Sequence, residues 1–432
     1  MFQNRIREKK DELIAGILGC VRINSVETKA KEGMPFGEGP AEALSYALEL
    51  ADKMGFVTKN IDNMAGYAEY GQGEEMVAVL GHLDIVPAGE GWEYNPFGEL
   101  CQDRIYGRGT LDNKGPILAA LYALDAVRAS GAPLKRRIRI IFGTNEETGC
   151  LDMVRYNKTE ETPVMGFTPD ADYPVIFSEK GMAEFSFAKK LGEKAGLLCA
   201  KAGTAVNLVP DRAMAELSRK DASTYKVQAK GAAAHASTPK QGENAISKLM
   251  EQLEQESLTE EVKDFVRFYN TFVGKETDGT SLGIACRVEK FGEVTVNAGL
   301  LEGDAEQIKV TFDCRYPWGE DFEKAAEHLK QLAEEQGLEF ELSRNTHPLY
   351  IPEDSTLVTT LQQVYEEHTG RKEPPIVIGG GTYAKSVENI VAFGPVFPDQ
   401  ENVIHQKNEY ISIDHLLKNT EIMADAMYRL AK

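Results

Sequence analysis

The run MVAVLGHLD, residues 76–84, decides the fold. Its apolar residues are continuous rather than alternating, as a strand covered on both faces requires. RIRIIFG (137–143) and VMGF (164–167) also read as short apolar strands. Between the first two lies KGPILAALYALDAVRASG (114–131), with helical spacing and a glycine stop at Gly131. Strand, helix and strand in this order predict an α/β domain whose sheet is mostly parallel. Upstream, residues 2–20 and 40–54 read as helices, the second ending at Gly55.

Beyond about residue 180 the period changes. GMAEFSFAKK, DRAMAELS, TYKVQAKG and EQIKVTFDCRYP alternate apolar and polar residues, as half-exposed antiparallel strands do. Helical stretches at 243–256 and 320–336 accompany them, so this part is expected to be an α+β unit. The helical pattern TLVTTLQQVYEEHTG then returns, followed by the apolar runs PIVIGGGT and IVAFGPV, read as further strands of the first domain. The expected organisation is a discontinuous domain, 1–180 and 351–432, interrupted by an inserted domain, 181–350.

The chain has 432 residues, 48 of them Lys or Arg and 68 Asp or Glu, a net charge of −20. That balance argues against a nucleic-acid or anionic-membrane partner, both of which need a basic footprint. Cys20, Cys101, Cys150, Cys199, Cys286 and Cys314 are scattered without a C-x-x-C pair, which fits a reducing, cytoplasmic setting. No leader-like apolar segment and no spanning stretch is visible.

Several polar residues stand where the apolar runs end. His82 and Asp84 share a face of an extended chain, so they read either as a surface turn or as a metal-binding histidine with its orienting carboxylate. Asp112, in GRGTLDNKG, is either a helix N-cap or a carboxylate shared by two cations. Glu146 and Glu147 end a strand as a solvated turn or as one ligand beside one acid–base group. Asp170 follows another strand, and His405 lies beyond IVAFGPV. Ligands in parallel sheets gather outside the carboxyl ends of strands, where several of these residues fall.

GHLDIVPAG, YGRGTLDNKG, FGTNEETG and TPDADYP resemble, in order, motifs of the co-catalytic metallopeptidase family of dipeptidase V, carboxypeptidase G, succinyl-diaminopimelate desuccinylase and aminoacylase. GTAVNLVPD, KGAAAHASTPKQGENAI, FDCRYP, GGGTYA and ENVIHQKNE extend the likeness over nearly the whole chain, closest to bacterial dipeptidase V-like dipeptidases. The resemblance implies a phosphorylase/hydrolase-like α/β catalytic domain with a helix-flanked mixed sheet, plus an inserted α+β lid with an antiparallel sheet. It implies two divalent cations, zinc first and manganese or cobalt as alternatives, held by His82, Asp112, Glu147, Asp170 and His405. Asp112 would bridge them, Asp84 would orient His82, and a cis peptide would follow Asp112. Glu146 resembles the general base acting on a bridging water. His235 resembles a lid histidine that polarises the scissile carbonyl, and Asn207, Arg315 and the loop Gly379, Gly380, Gly381 and Thr382 resemble the substrate contacts.

Arg315 reads either as a clamp for a terminal carboxylate or as a strand-face ion pair. The implied enzyme is a monomeric dipeptidase acting on small peptides with free termini. An N-acyl amino acid deacylase, desuccinylase or carboxypeptidase is the alternative on the same core. A non-catalytic binding protein would be expected to have lost Glu146 or a ligand, and none is missing.

Overall fold

A computed structural model describes residues 1–192, 196–219 and 223–432. The chain divides into two compact units: Met1–Phe177 with Ile351–Ile376 and Thr382–Lys432, and Ser178–Tyr350 with Val377–Gly381.

The first unit is α/β. Its sheet runs in the order Val57–Ile61, Ala65–Tyr70, Arg137–Gly143, Met76–His82, Met165–Thr168, Ile390–Phe393 and Val175–Glu179. The four middle strands are parallel and the flanking pairs antiparallel. Every residue of Met76–His82 is buried, as its unbroken apolar run requires. The helix Lys114–Ala129 packs on that strand and on the helices Lys10–Val21 and Ile413–Ala431, and its residues 114–127 are all buried. A helix hydrophobic on every side belongs in the middle of a fold.

Two details differ from the sequence reading. The first expected helix is divided, Gln3–Glu8 and Lys10–Val21, because Lys9 leaves the helical region at φ −92° and ψ 6°. The second starts earlier, at Glu38, and carries Pro40 in its first turn, where a missing N–H leaves no bond unmade.

The second unit is α+β. Its seven-stranded sheet is antiparallel throughout, in the order Thr224–Lys230, Arg212–Ser218, Leu197–Ala202, Thr295–Gly303, Gln307–Tyr316, Gly181–Lys190 and Glu339–Thr346. Helices Ala245–Leu253, Glu260–Phe272 and Phe322–Glu335 share its apolar core. Of the run PIVIGGGT, expected in the first domain, Val377–Gly381 groups with this unit. No described helix is long and apolar enough to cross a membrane. All six cysteines are free thiols.

Candidate metal centre

Five side chains of the first unit converge although they are spread from residue 82 to residue 405. His82 Nε2 lies 3.0 Å from Asp112 Oδ1 and 3.5 Å from Asp170 Oδ1. His405 Nε2 lies 3.0 Å from Asp112 Oδ2 and 3.1 Å from Glu147 Oε1. Two donor groups result, His82–Asp112–Asp170 and Asp112–Glu147–His405, each with its ligand atoms within 4.8 Å of one another. Asp112 belongs to both, with one oxygen turned to each histidine.

Backbone geometry delivers these groups. His82 is the last residue of its strand. Gly81 has no side chain because a Cβ there would sit 2.4 Å from Asn113 Oδ1. Asp112 is not the N-cap of the following helix. Asn113 holds that position, and instead of capping, its Nδ2 donates to Pro169 O at 2.6 Å, next to Asp170. The Asp112–Asn113 peptide is cis.

Asp84 works in two ways. Its backbone carbonyl accepts from His82 Nδ1 at 3.0 Å, which puts the lone pair of a neutral imidazole on Nε2, toward the carboxylates. Its carboxylate accepts the backbone N–H of Glu146 at 3.2 Å and of Glu147 at 3.0 Å, holding the adjacent acids in place.

Charge is concentrated here. Burial would lower His82, but the Asp170 charge and hydrogen bonds to Asp112, Asp170 and Asp84 drive it well above the usual histidine range. Burial opposes the same rise in His405, which its bonds to Asp112 and Glu147 push up to about 10. Asp112 is buried, yet the two histidines hold it far below the ordinary carboxylate value. Asp170 rises to about 7, chiefly through burial. Glu146, in neither donor group, is driven well upward by burial and then by the charge of Asp170.

Two further acids were not legible as site residues. Asp152 Oδ2 accepts from Thr144 N at 2.7 Å, Asn145 N at 2.9 Å and the Tyr383 hydroxyl, and the Tyr383 ring stands edge-on to His82 at 5.9 Å. Glu409 holds the loop before Asp112. An isolated acid among polar residues reads as surface; only the backbone donors around each reveal its role.

Asp152 also carries a pH signature. Burial, then the charge of Asp84, raises it from 3.8 to about 6. A carboxyl whose folded value lies above its unfolded one contributes stability below the unfolded value and loses it as pH rises through the folded one. The loss is about 3 kcal/mol by pH 7. In chelator-treated protein the urea midpoint of Asp152→Asn is therefore expected to fall less than that of the wild type between pH 4 and pH 7. Parallel pH dependences would rule this out.

The remaining predicted residues lie mostly in the second unit. Asn207 and His235 sit on adjacent segments, with a bridge between Leu208 and His235 and Ala236 N donating to Asn207 O at 2.9 Å. His235 Nδ1 accepts from Ser237 N at 3.2 Å, which places the proton of the neutral ring on Nε2. Arg315 is buried, and its Nε and Nη2 are gripped by Asp313 at 2.5 and 2.8 Å while Nη1 donates to Gly379 O at 3.3 Å. The guanidinium is thus already in a strand-face ion pair, with one edge of its fork taken. Gly379 packs on Ser237, so the Gly379–Gly381 segment joins His235 and Arg315 in one group. Thr382 falls in the first unit, where its hydroxyl accepts from Ala384 N at 3.1 Å.

A sequence model of Peptidase family M20/M25/M40 matches residues 78–429. "Putative dipeptidase YtjP" of Bacillus subtilis (strain 168) is 40% identical, the alignment covering 100% of both chains. A "Putative dipeptidase" of Staphylococcus epidermidis is 36% identical over 100% of this chain and 99% of its own. Among solved structures, the di-peptidase Dug1p from Saccharomyces cerevisiae has the same fold, with a TM-score of 0.65 over 99% of this chain and 97% of that one at 13% identity.

Proposed function

We propose, because the chain belongs to Peptidase family M20/M25/M40, that it is a metal-dependent dipeptidase cleaving short peptides with free termini. The observation that carries this is the pair of donor groups sharing Asp112, with Glu146 beside them and in neither.

The donor set fits two divalent cations. Each group offers one imidazole and two carboxylates, a mixture suited to zinc, manganese or cobalt. His82, Asp170 and Asp112 would hold one, and Glu147, His405 and Asp112 the other. Cations held there supply Lewis acidity toward a carbonyl and lower the pKa of water.

The chain's own residues would do the rest. Glu146 can take a proton at its carboxylate during attack and return it to the departing amine, and burial, then the Asp170 charge, raises its basicity. His235, with its proton on Nε2, is assigned the carbonyl oxygen of the substrate. Asn207, Arg315, Gly379, Gly380, Gly381 and Thr382 are assigned the substrate's other polar groups. Arg315 would offer guanidinium N–H groups beyond those given to Asp313 and to Gly379 O. The free thiols support a reducing, cytoplasmic setting, and the length of the insert supports a monomer.

The test is a substrate panel on chain loaded with zinc, manganese or cobalt: dipeptides, N-acyl amino acids, succinyl-diaminopimelate and C-terminally extended peptides. Turnover of dipeptides, lost on adding chelator and restored by cation, is expected. Turnover of acylated substrates alone would replace this reading with that of a deacylase.

A further inference from the structure

We infer that Glu409 and Arg108 form a positioning pair that locks the loop carrying Asp112 to the loop carrying His405. The inference rests on the two-cation reading above and concerns how the two donor groups are kept in register.

Glu409 is fully buried, and its side chain is surrounded by donors from one short segment. Oε1 accepts from Gly109 N at 3.0 Å, Leu111 N at 2.9 Å and Asp112 N at 3.2 Å. Oε2 accepts from Arg108 Nη1 at 2.5 Å, and the Glu409 carbonyl accepts from Gly107 N at 2.9 Å. Gly109, at φ +91°, lets the loop fold its N–H groups inward around one carboxylate. Arg108 completes the link in the other direction, its Nη2 donating to His405 O at 3.1 Å.

The ends of this network are both ligands. One carboxylate fixes the backbone of Asp112, and one guanidinium fixes the backbone of His405. Asp112 stands 3.0 Å from each histidine through different oxygens, so a small rotation would favour one group at the other's expense. A buried ion pair is weak evidence for stability, because taking both charges out of water costs about what their attraction returns. Its use here is geometric. Partners one layer outside a metal's ligands characteristically affect affinity on the order of 10–100-fold.

The pair's two halves have different reaches, and that makes the test specific. Manganese is titrated by calorimetry into chelator-treated full-length protein, with two binding steps expected for the wild type. Glu409→Gln removes the charge that gathers the Asp112 loop, so both steps are expected to weaken on the order of 10–100-fold. Arg108→Lys keeps a cation beside Glu409 but loses the arm to His405 O. One step is then expected to weaken about tenfold and the other to stay within about twofold.

The double variant Arg108→Met/Glu409→Gln leaves no lone buried charge and covers the case in which Glu409→Gln fails to fold. It is expected to show both steps weakened. In the unaltered protein, hydrogen exchange at 107–112 and at 403–409 is expected to slow together on adding manganese. Wild-type affinities in the variants, equal weakening of both steps in Arg108→Lys, or protection of only one loop would each overturn the pair's role. A wild type that binds no cation would instead sink the centre itself, so the two failures are distinguishable.

Discussion

Asp112→Ala is expected to abolish high-affinity loading of both cation positions and, with it, dipeptide turnover. The expectation comes from the sharing of one side chain. Asp112 Oδ1 faces His82 and Oδ2 faces His405, each at 3.0 Å, and Asp112 is the one residue common to both donor groups. Removing it leaves His82 with Asp170 and His405 with Glu147, two ligands apiece. Losing a direct ligand should weaken each binding step by more than the roughly hundredfold that an outer partner can cost. Asp170→Asn and His405→Ala are the controls. Each belongs to one group, so each should impair one step and leave the other detectable. Metal content after dialysis, with a thermal melt to show that the chain is folded, measures this. An Asp112→Ala protein that retains two equivalents would refute the shared-ligand reading.

The second large effect is expected at Glu146. Glu146→Gln should lower kcat by about 10²–10⁴, the usual contribution of a positioned acid–base group. KM and cation content should stay within about twofold of wild type, because Glu146 lies outside both donor groups. Its backbone is held by Asp84 Oδ1, and the same carboxylate holds Glu147 through Oδ2, so the amide keeps the local shape while losing the proton-accepting oxygen. Burial and the Asp170 charge raise Glu146, and cations at the adjoining groups would offset part of that rise. A kcat within tenfold of wild type would remove Glu146 from the chemistry.

Much of the fold was legible because the evidence for it is local. The apolar runs at 76–81 and 137–143, the second despite Arg137 and Arg139, could be satisfied by strands covered on both faces, and both are central parallel strands. The alternating runs at 181–190 and 307–316 became neighbouring antiparallel strands of the second sheet. The polar residues at the strand ends were visible as candidates for the same reason: His82, Glu146, Glu147 and Asp170 stand at or just beyond the ends of the apolar runs.

What the sequence by itself determined, then, was the type and order of the elements and the residues placed at their ends, since periodicity and strand length are properties of neighbours along the chain. Tertiary structure alone decided which of those residues meet. Asp112 turned out to face two histidines rather than cap a helix, because Asn113 took the cap position and bonded to Pro169. Arg315 turned out to be gripped by Asp313, two residues away on the same face of its strand. Glu409 collects amides 297 to 300 residues distant, and Asp152 meets Tyr383 across 231 residues. No local pattern marks such acids, because their donors are backbone N–H groups that every residue but proline carries. Only the closing of the chain on itself shows which of those donors are left without a partner.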